Sequence, residues 1–328
     1  MNIKYEFQGE YVKFWKDIEK HLIGKKVANG TIENRRKALT SFIKLTNSTK
    51  ISDLENVKFV ETFIAKFKGK DSSLIIYLSN LSSIIENFKK RGEFEEIYKF
   101  KKNPFAYKME DNSFENDGES HKARTKLEIE IWIKLITDKQ YKLLFMFYAT
   151  ALRLSEPLEL RKTQFNLEKR EMLNVVRKGK RKNNKNKIQK KLGIPKWMIP
   201  ILEDHLKTVD DKLFNINTGK VDYFTKAHFK KLTELREKLE KKGNLNNYWQ
   251  RVKDGLDLIV SDGKIIPHQL RKSWNTLAVE GRMFESFRKF HMNHSSGIQD
   301  IYTKIYDIPS TWREYLEELD NHSPQFVF

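Results

Sequence analysis

PHQLRKSWNTLAVEGRMFESFRKFHMNHSSGIQDIYTK, residues 267–304, is the stretch around which the rest of the chain is organised. Pro267 suits the first turn of a helix, where its fixed φ and missing N–H cost nothing. His268 and Arg271 then fall at i and i+3 on one helical face, and Leu270, Trp274, Leu277 and Ala278 form a core-facing stripe. His294 lies 23 residues after Arg271, and Tyr302 follows eight later. A hydroxyl nucleophile downstream of an imidazole and a guanidinium, in a strongly basic chain, points to chemistry on a phosphate. A histidine at a helix start also serves as a cap; the arginine three residues on favours the functional reading. His291 and His294 stand at i, i+3 as well, a spacing that permits a metal pair. Zinc would need further ligands, and neither HExxH nor any cysteine is present, so no metal site is expected.

The surrounding chain is consistent with a polyanion partner. Its 328 residues carry a net charge of +19, with 39% hydrophobic and 12% aromatic residues, enough to build cores. A lysine-rich protein with no nucleic-acid role is the alternative. Without cysteine there is no disulfide framework and no thiol nucleophile, which fits a reducing cytoplasm. No apolar run approaches the roughly 20 residues needed to span a bilayer, and the N-terminal residues have no apolar signal core. No GxxxxGK[ST] cradle and no acidic two-metal cluster is evident, so phosphoryl chemistry here is expected to need neither ATP, metal nor other cofactor.

Residues 1–102 read as a helical bundle. Tyr11, Phe14, Trp15, Ile18 and Leu22 recur at helical steps; Asn29-Gly30-Thr31 breaks the pattern, with Thr31 as a candidate N-cap. A second helix carries Arg35, Arg36 and Lys37, a third is capped by Ser52 or Asp53, and a fourth runs from about Asp71 to Lys90. The basic faces suit gripping DNA or simply water; Arg35, Arg36 and Lys37 are the candidate contacts. Residues 103–123, with Glu110, Asp111, Glu115, Asp117 and Glu119, read as an acidic linker, and 124–328 as a second domain.

Within that second domain, Arg153 sits among Ala149, Ala151, Leu152 and Leu154 after an apolar helix, either as half of a structural pair with Glu156 or Glu159 or as a phosphate-gripping guanidinium. MLNVV (172–176) and KIQKKLGI (187–194) read as an antiparallel strand pair, the only one the pattern supports. Between Arg177 and Lys191 stand nine Lys or Arg residues and no acid, so Arg177, Lys178, Arg181 and Lys182 are candidate DNA contacts at a hairpin tip. The fold class expected is mainly α with a small β-hairpin or sheet.

Taken together these segments resemble the tyrosine recombinases. TALRLSEPLEL (150–160) resembles the family's first arginine box, NVVRKGKRKN (174–183) the hairpin with the catalytic lysine, PHQLR (267–271) the HxLR box, HMNHSS (291–296) the LGHSS segment, and DIYTK (300–304) the stretch around the nucleophile. The resemblance spans about 125–306, and more weakly the helical first hundred residues, which are similar to the family's core-binding domain. It implies a catalytic set of Arg153, Lys180, His268, Arg271, His294 and Tyr302, with Lys178 and Tyr306 as alternatives for the lysine and the nucleophile. The His294-to-Tyr302 spacing is one residue shorter than the family's. Ala151 replaces a glycine, expected to matter little within a helix, and Asn293 replaces another at a position where left-handed geometry suits Asn.

The resemblance further implies strand transfer at a double-stranded DNA attachment site. Tyr302 attacks phosphorus, Arg153 and Arg271 neutralise the non-bridging oxygens, His268 shares a proton, His294 donates to the phosphate and Lys180 protonates the leaving 5′ oxygen. A covalent 3′-phosphotyrosyl link and a homo-tetramer on DNA follow, in a prokaryotic or virus-infected cytoplasm. High Lys and Glu without Cys is compatible with an archaeal virus or plasmid source, and the many asparagines count against it. A type IB topoisomerase and a catalytically silent DNA-binding regulator are the competing readings. The tail from Trp312 to Phe328 is expected either to pack on its own domain or to dock on a neighbouring protomer.

Overall fold

The computed structural model describes residues 7–69, 71–89, 97–106, 122–177, 187–261, 263, 265–293, 305 and 308–328. The chain divides into two compact units, Met1–Glu119 and Ser120–Phe328.

The first unit is helical: α1 (Glu10–Gly24), α2 (Asn29–Thr46), α3 (Val57–Lys66) and α4 (Asp71–Lys89). The stripe Tyr11, Phe14, Trp15, Ile18 and Leu22 is buried as its spacing requires, against a core that includes Phe42, Phe63, Leu78 and Ile85. The punctuation differs from expectation. Gly30 and Thr31 lie inside the first turn of α2, which starts at Asn29 after Ala28. The cap of α3 is Asn56, whose side chain accepts from the Lys58 N–H at 3.0 Å. Asp53 instead accepts from the Ser48 hydroxyl at 2.9 Å and the Thr49 and Lys50 amides at 3.2 Å, closing the preceding turn. The unit also reaches further along the chain than composition indicates. Phe105 is buried edge-on against Phe42 at 5.5 Å, and Asn103 donates to Ser82 Oγ at 3.0 Å. A composition average over 103–123 hides two residues that anchor in the core. The acidic residues of that stretch lie outside the described residues.

The second unit begins on a buried arginine. The Arg124 guanidinium pairs with Glu128 at 2.9 Å and its amide donates to Ser273 Oγ at 2.6 Å; Thr125 then forms a capping box with Glu128. There follow α5 (Lys126–Lys134), α6 (Lys139–Ala149), β1 (Phe165–Asn166), β2 (Glu171–Arg177), β3 (Lys187–Gly193), α7 (Ile199–Thr208), α8 (Thr218–Lys242), α9 (Asn247–Ser261), α10 (Pro267–Glu280), α11 (Glu285–His291) and α12 (Pro309–Asn321). The fold class is thus mainly α with one three-stranded antiparallel sheet, ordered β1-β2-β3. β2 and β3 pair from Glu171 with Gly193 to Arg177 with Lys187, and β1, too short to show an alternation, adds an edge.

α6 is buried on all sides from Leu143 to Ala149 and forms the centre of the unit. In α12 Trp312, Tyr315 and Leu319 are buried, and Asp320 accepts two bonds from Arg170 at 2.8 and 2.6 Å. Phe326 packs edge-on to Trp197 at 5.5 Å. Of the two expectations for the tail, packing on its own unit is the one the described residues show. Among the described residues no helix is long and apolar enough to cross a membrane.

Candidate active site

The site is built on two chain reversals and the start of α10, which tertiary packing brings together. At the end of α6, the Leu152 amide bonds to the Phe147 carbonyl at 3.4 Å and the Ala151 amide to the Tyr148 carbonyl at 3.0 Å. That pair of bonds is the Schellman closure, and it puts Ala151 at φ 68°, in the left-handed region. The expectation that Ala151 sits within a helix is therefore corrected: the helix has ended, and this is the position where a glycine is least strained. A methyl there costs about 1–2 kcal/mol of backbone strain, offset in part by its burial beside Trp274 and Ala278. Asn293 holds the equivalent position after α11 at φ 50°, as its residue type leads one to expect.

α10 starts where Pro267 places it, with the Gln269 side chain accepting from the Ile266 amide at 3.1 Å. Leu270, Trp274 and Ala278 are buried as a stripe, and His268 is exposed. Arg271, however, points inward. Its guanidinium donates to the carbonyl of Ala151, 120 residues away in sequence, and to the carbonyl of Met292. One side chain thus ties the reversal that leads to Arg153 to the one that leads to Asn293. Burial, with repulsion from Arg153 and Arg177, pushes the Arg271 pKa down to about 9, which leaves it charged at neutral pH.

Glu156 is the counter-charge. Its carboxylate is buried and accepts from the Arg153 amide at 2.7 Å and the Arg153 guanidinium at 3.0 Å, and it pairs with Arg177 at 3.1 Å. Burial pushes the carboxyl up, but the Arg177 charge, then the bonds and charge of Arg153, outweigh it and hold the group below the usual carboxylate range. Arg153 is 29% exposed, so its guanidinium is both held and reachable. Of the two candidate partners for Arg153, Glu156 is the one used; Glu159 is exposed.

Arg177 is not a surface contact for DNA. It is fully buried, paired to Glu156, and donates to the His291 carbonyl at 2.6 Å. Counting charges along the chain joins it to the basic tip, but in a strand it shares the face of Val175, two residues earlier, and that face is the core. Three guanidiniums and one carboxylate leave an excess of positive charge at one place, a standing attraction for an anion.

His291 closes the cluster from beneath. Its Nε2 donates to the Thr150 carbonyl at 2.8 Å, its Nδ1 accepts from the Tyr315 hydroxyl at 2.6 Å, and its ring stacks on Trp274 at 4.6 Å. The Tyr315 oxygen also accepts from the Gly193 amide at 3.2 Å, and a Cβ on Gly193 would meet the Tyr315 ring at 2.7 Å. With both nitrogens engaged, His291 has no lone pair for a metal.

Burial, aided by the Arg177 and Arg271 charges, pushes the His291 pKa down to about 3. The unfolded chain takes up this proton below about 6.5 and the folded chain does not, so stability falls as pH drops through that window. Between pH 7 and 5 this group is expected to remove about 2 kcal/mol. Urea melts should show that acid loss in the parent chain and not in His291→Gln; equal losses would rule it out.

Of the other candidates, Lys178, Lys180, Arg181, Lys182, His294, Tyr302 and Tyr306 lie outside the described residues. In the first unit Arg35 is half-buried and donates to Ser83 Oγ at 2.8 Å, and burial lowers its pKa; Arg36 is half-buried and Lys37 exposed. The roles of Glu156 as a shared counter-ion, and of Tyr315 under His291, were not visible in sequence. Only the RxxE spacing of Arg153 and Glu156 pointed toward the first.

No protein-family model matches the chain. No curated protein sequence matches it either. Among solved structures, the integrase from mycobacterium phage Brujita is similar at 15% identity and a TM-score of 0.40, over 98% of this chain and 97% of that one. XerA recombinase is similar at 16% identity and a TM-score of 0.37, over 97% of this chain and 100% of that one.

Proposed function

We propose that the chain is a DNA strand transferase of the tyrosine recombinase type, which cleaves and rejoins DNA at an attachment site through a 3′-phosphotyrosyl intermediate. The observation that carries this reading is Arg271, whose buried guanidinium bonds the Ala151 and Met292 carbonyls and so gathers those two turns beside Arg153 and Arg177, around one surplus of positive charge. Such a cluster suits the two non-bridging oxygens of a phosphodiester, whose charge grows as a nucleophile adds.

Tyr302 supplies the hydroxyl. Its oxygen forms a bond to phosphorus as the bond to the 5′ oxygen breaks; His268 takes or shares the tyrosine proton, His294 donates to the phosphate and Lys180 gives a proton to the departing oxygen. The ester energy is kept in the new link, so a 5′ hydroxyl reseals it without ATP. The active form is a tetramer on DNA, with Lys37, Arg36 and the 178–182 lysines and arginines meeting the backbone.

The test is covalent capture. The full chain is incubated with nicked duplexes of randomised sequence, protein-linked DNA is recovered and sequenced, and the modified tyrosine is mapped by mass spectrometry. An adduct on Tyr302, absent from Tyr302→Phe, is expected; an adduct that persists in that variant moves the nucleophile to Tyr306, and no adduct at all overturns strand transfer.

A further inference from the structure

Arg177 stands outside the proposed catalytic set, yet it is the charge buried most completely beside it. Its guanidinium makes two different connections. One nitrogen pairs with Glu156 Oε2 at 3.1 Å, while Glu156 Oε1 holds Arg153 at 3.0 Å. Another donates to the His291 carbonyl at 2.6 Å, one residue before the Met292 carbonyl that Arg271 grips. It reaches both from the last position of β2, at the root of the basic hairpin.

From this geometry we infer that Arg177 is a positioning residue for strand cleavage, which acts through Glu156 on Arg153 and through the His291 carbonyl on the turn that leads to His294. The inference rests on the strand-transfer reading above.

The physical reason is charge sharing. A carboxylate facing one guanidinium alone draws it inward and cancels its field. Here a second, fully buried guanidinium takes one carboxylate oxygen, so Arg153 keeps net positive character at its exposed edge while Glu156 still fixes its direction. The same side chain holds the 291–292 peptide, so the two segments cannot drift apart independently. A residue that acts this way affects the reaction step more than DNA affinity, because affinity is spread over many phosphate contacts.

The experiment uses the full chain and the duplex that the parent protein selects in the capture assay, with single-turnover adduct formation and DNA affinity measured in parallel. Arg177→Met is expected to slow adduct formation by about 10²-fold, the scale of a misplacement of about 1 Å, with affinity changed less than about threefold. Arg177→Lys keeps the charge but cannot reach both partners, and is expected to recover part of the rate. In a Glu156→Gln background, where there is no carboxylate to share, Arg177→Met is expected to cost much less than in the parent. Thermal melting shows which variants are folded, and the Lys variant and the paired substitution carry the test if Arg177→Met is not. Parent-like adduct rates in a folded Arg177→Met or Arg177→Lys protein overturn the positioning role alone, as does an equal effect in both Glu156 backgrounds. A parent chain that forms no adduct overturns strand transfer itself.

Discussion

Glu156→Ala is expected to cost about 3–5 kcal/mol of folding stability, the range for removing one partner of a buried ion pair. The substitution leaves Arg177 wholly buried without its carboxylate and removes the acceptor for both the amide and the guanidinium of Arg153. Three like charges, those of Arg153, Arg177 and Arg271, would then face one another with nothing between them. The comparison that gives the figure meaning is the Arg161–Asp211 pair, whose side chains are 53% and 52% exposed. Asp211→Ala is expected to change stability by only about 0–1 kcal/mol, because water screens that pair. Guanidinium melts of the two variants at pH 7 settle the matter. Similar small losses in both would mean that the cluster does not hold the fold.

Arg271→Lys is expected to lower single-turnover strand cleavage on the order of 10³-fold, the upper end for loss of one preorganised donor. Arginine satisfies two carbonyls from separate chain segments with one planar group. Lysine has a single compact ammonium. It can meet one of the carbonyls or an anion, and it leaves the other carbonyl buried and unpaired at about 1–3 kcal/mol. The affinity for duplex DNA should fall far less than the rate, since most of that affinity is electrostatic and distributed. Adduct formation measured beside filter binding separates the two. A lysine variant that cleaves within a few-fold of the parent would remove Arg271 from the proposed mechanism.

Both expectations turn on residues whose type was legible and whose setting was not. Arg271 and Arg153 stand out by spacing and by apolar surroundings. Nothing local says that Arg271 turns inward to two carbonyls, or that Glu156 divides its oxygens between two arginines. Arg177 was read with the basic tip because charge was counted along the chain, where a strand sorts residues by twos onto opposite faces. Ala151 was read into α6 because an apolar run does not announce its own end; the left-handed φ that closes the helix depends on bonds back to Phe147 and Tyr148. The helical stripes of the first unit, the β2–β3 pair and the start of α10 emerged as expected, since each rests on a period of 3.6 or 2 residues.

Local spacing therefore sufficed for the mainly helical class, the one strand pair, the surplus of positive charge and the order of the candidate catalytic segments. These follow from side-chain direction along a single element, which a sequence records residue by residue. Which of those charges face one another was decided by tertiary contact alone. Arg271 meets Ala151 across 120 positions, Arg177 meets His291 across 114, and His291 meets Thr150 across 141. Such pairings depend on how separate elements close around the buried α6, and no periodicity within any one of them encodes it.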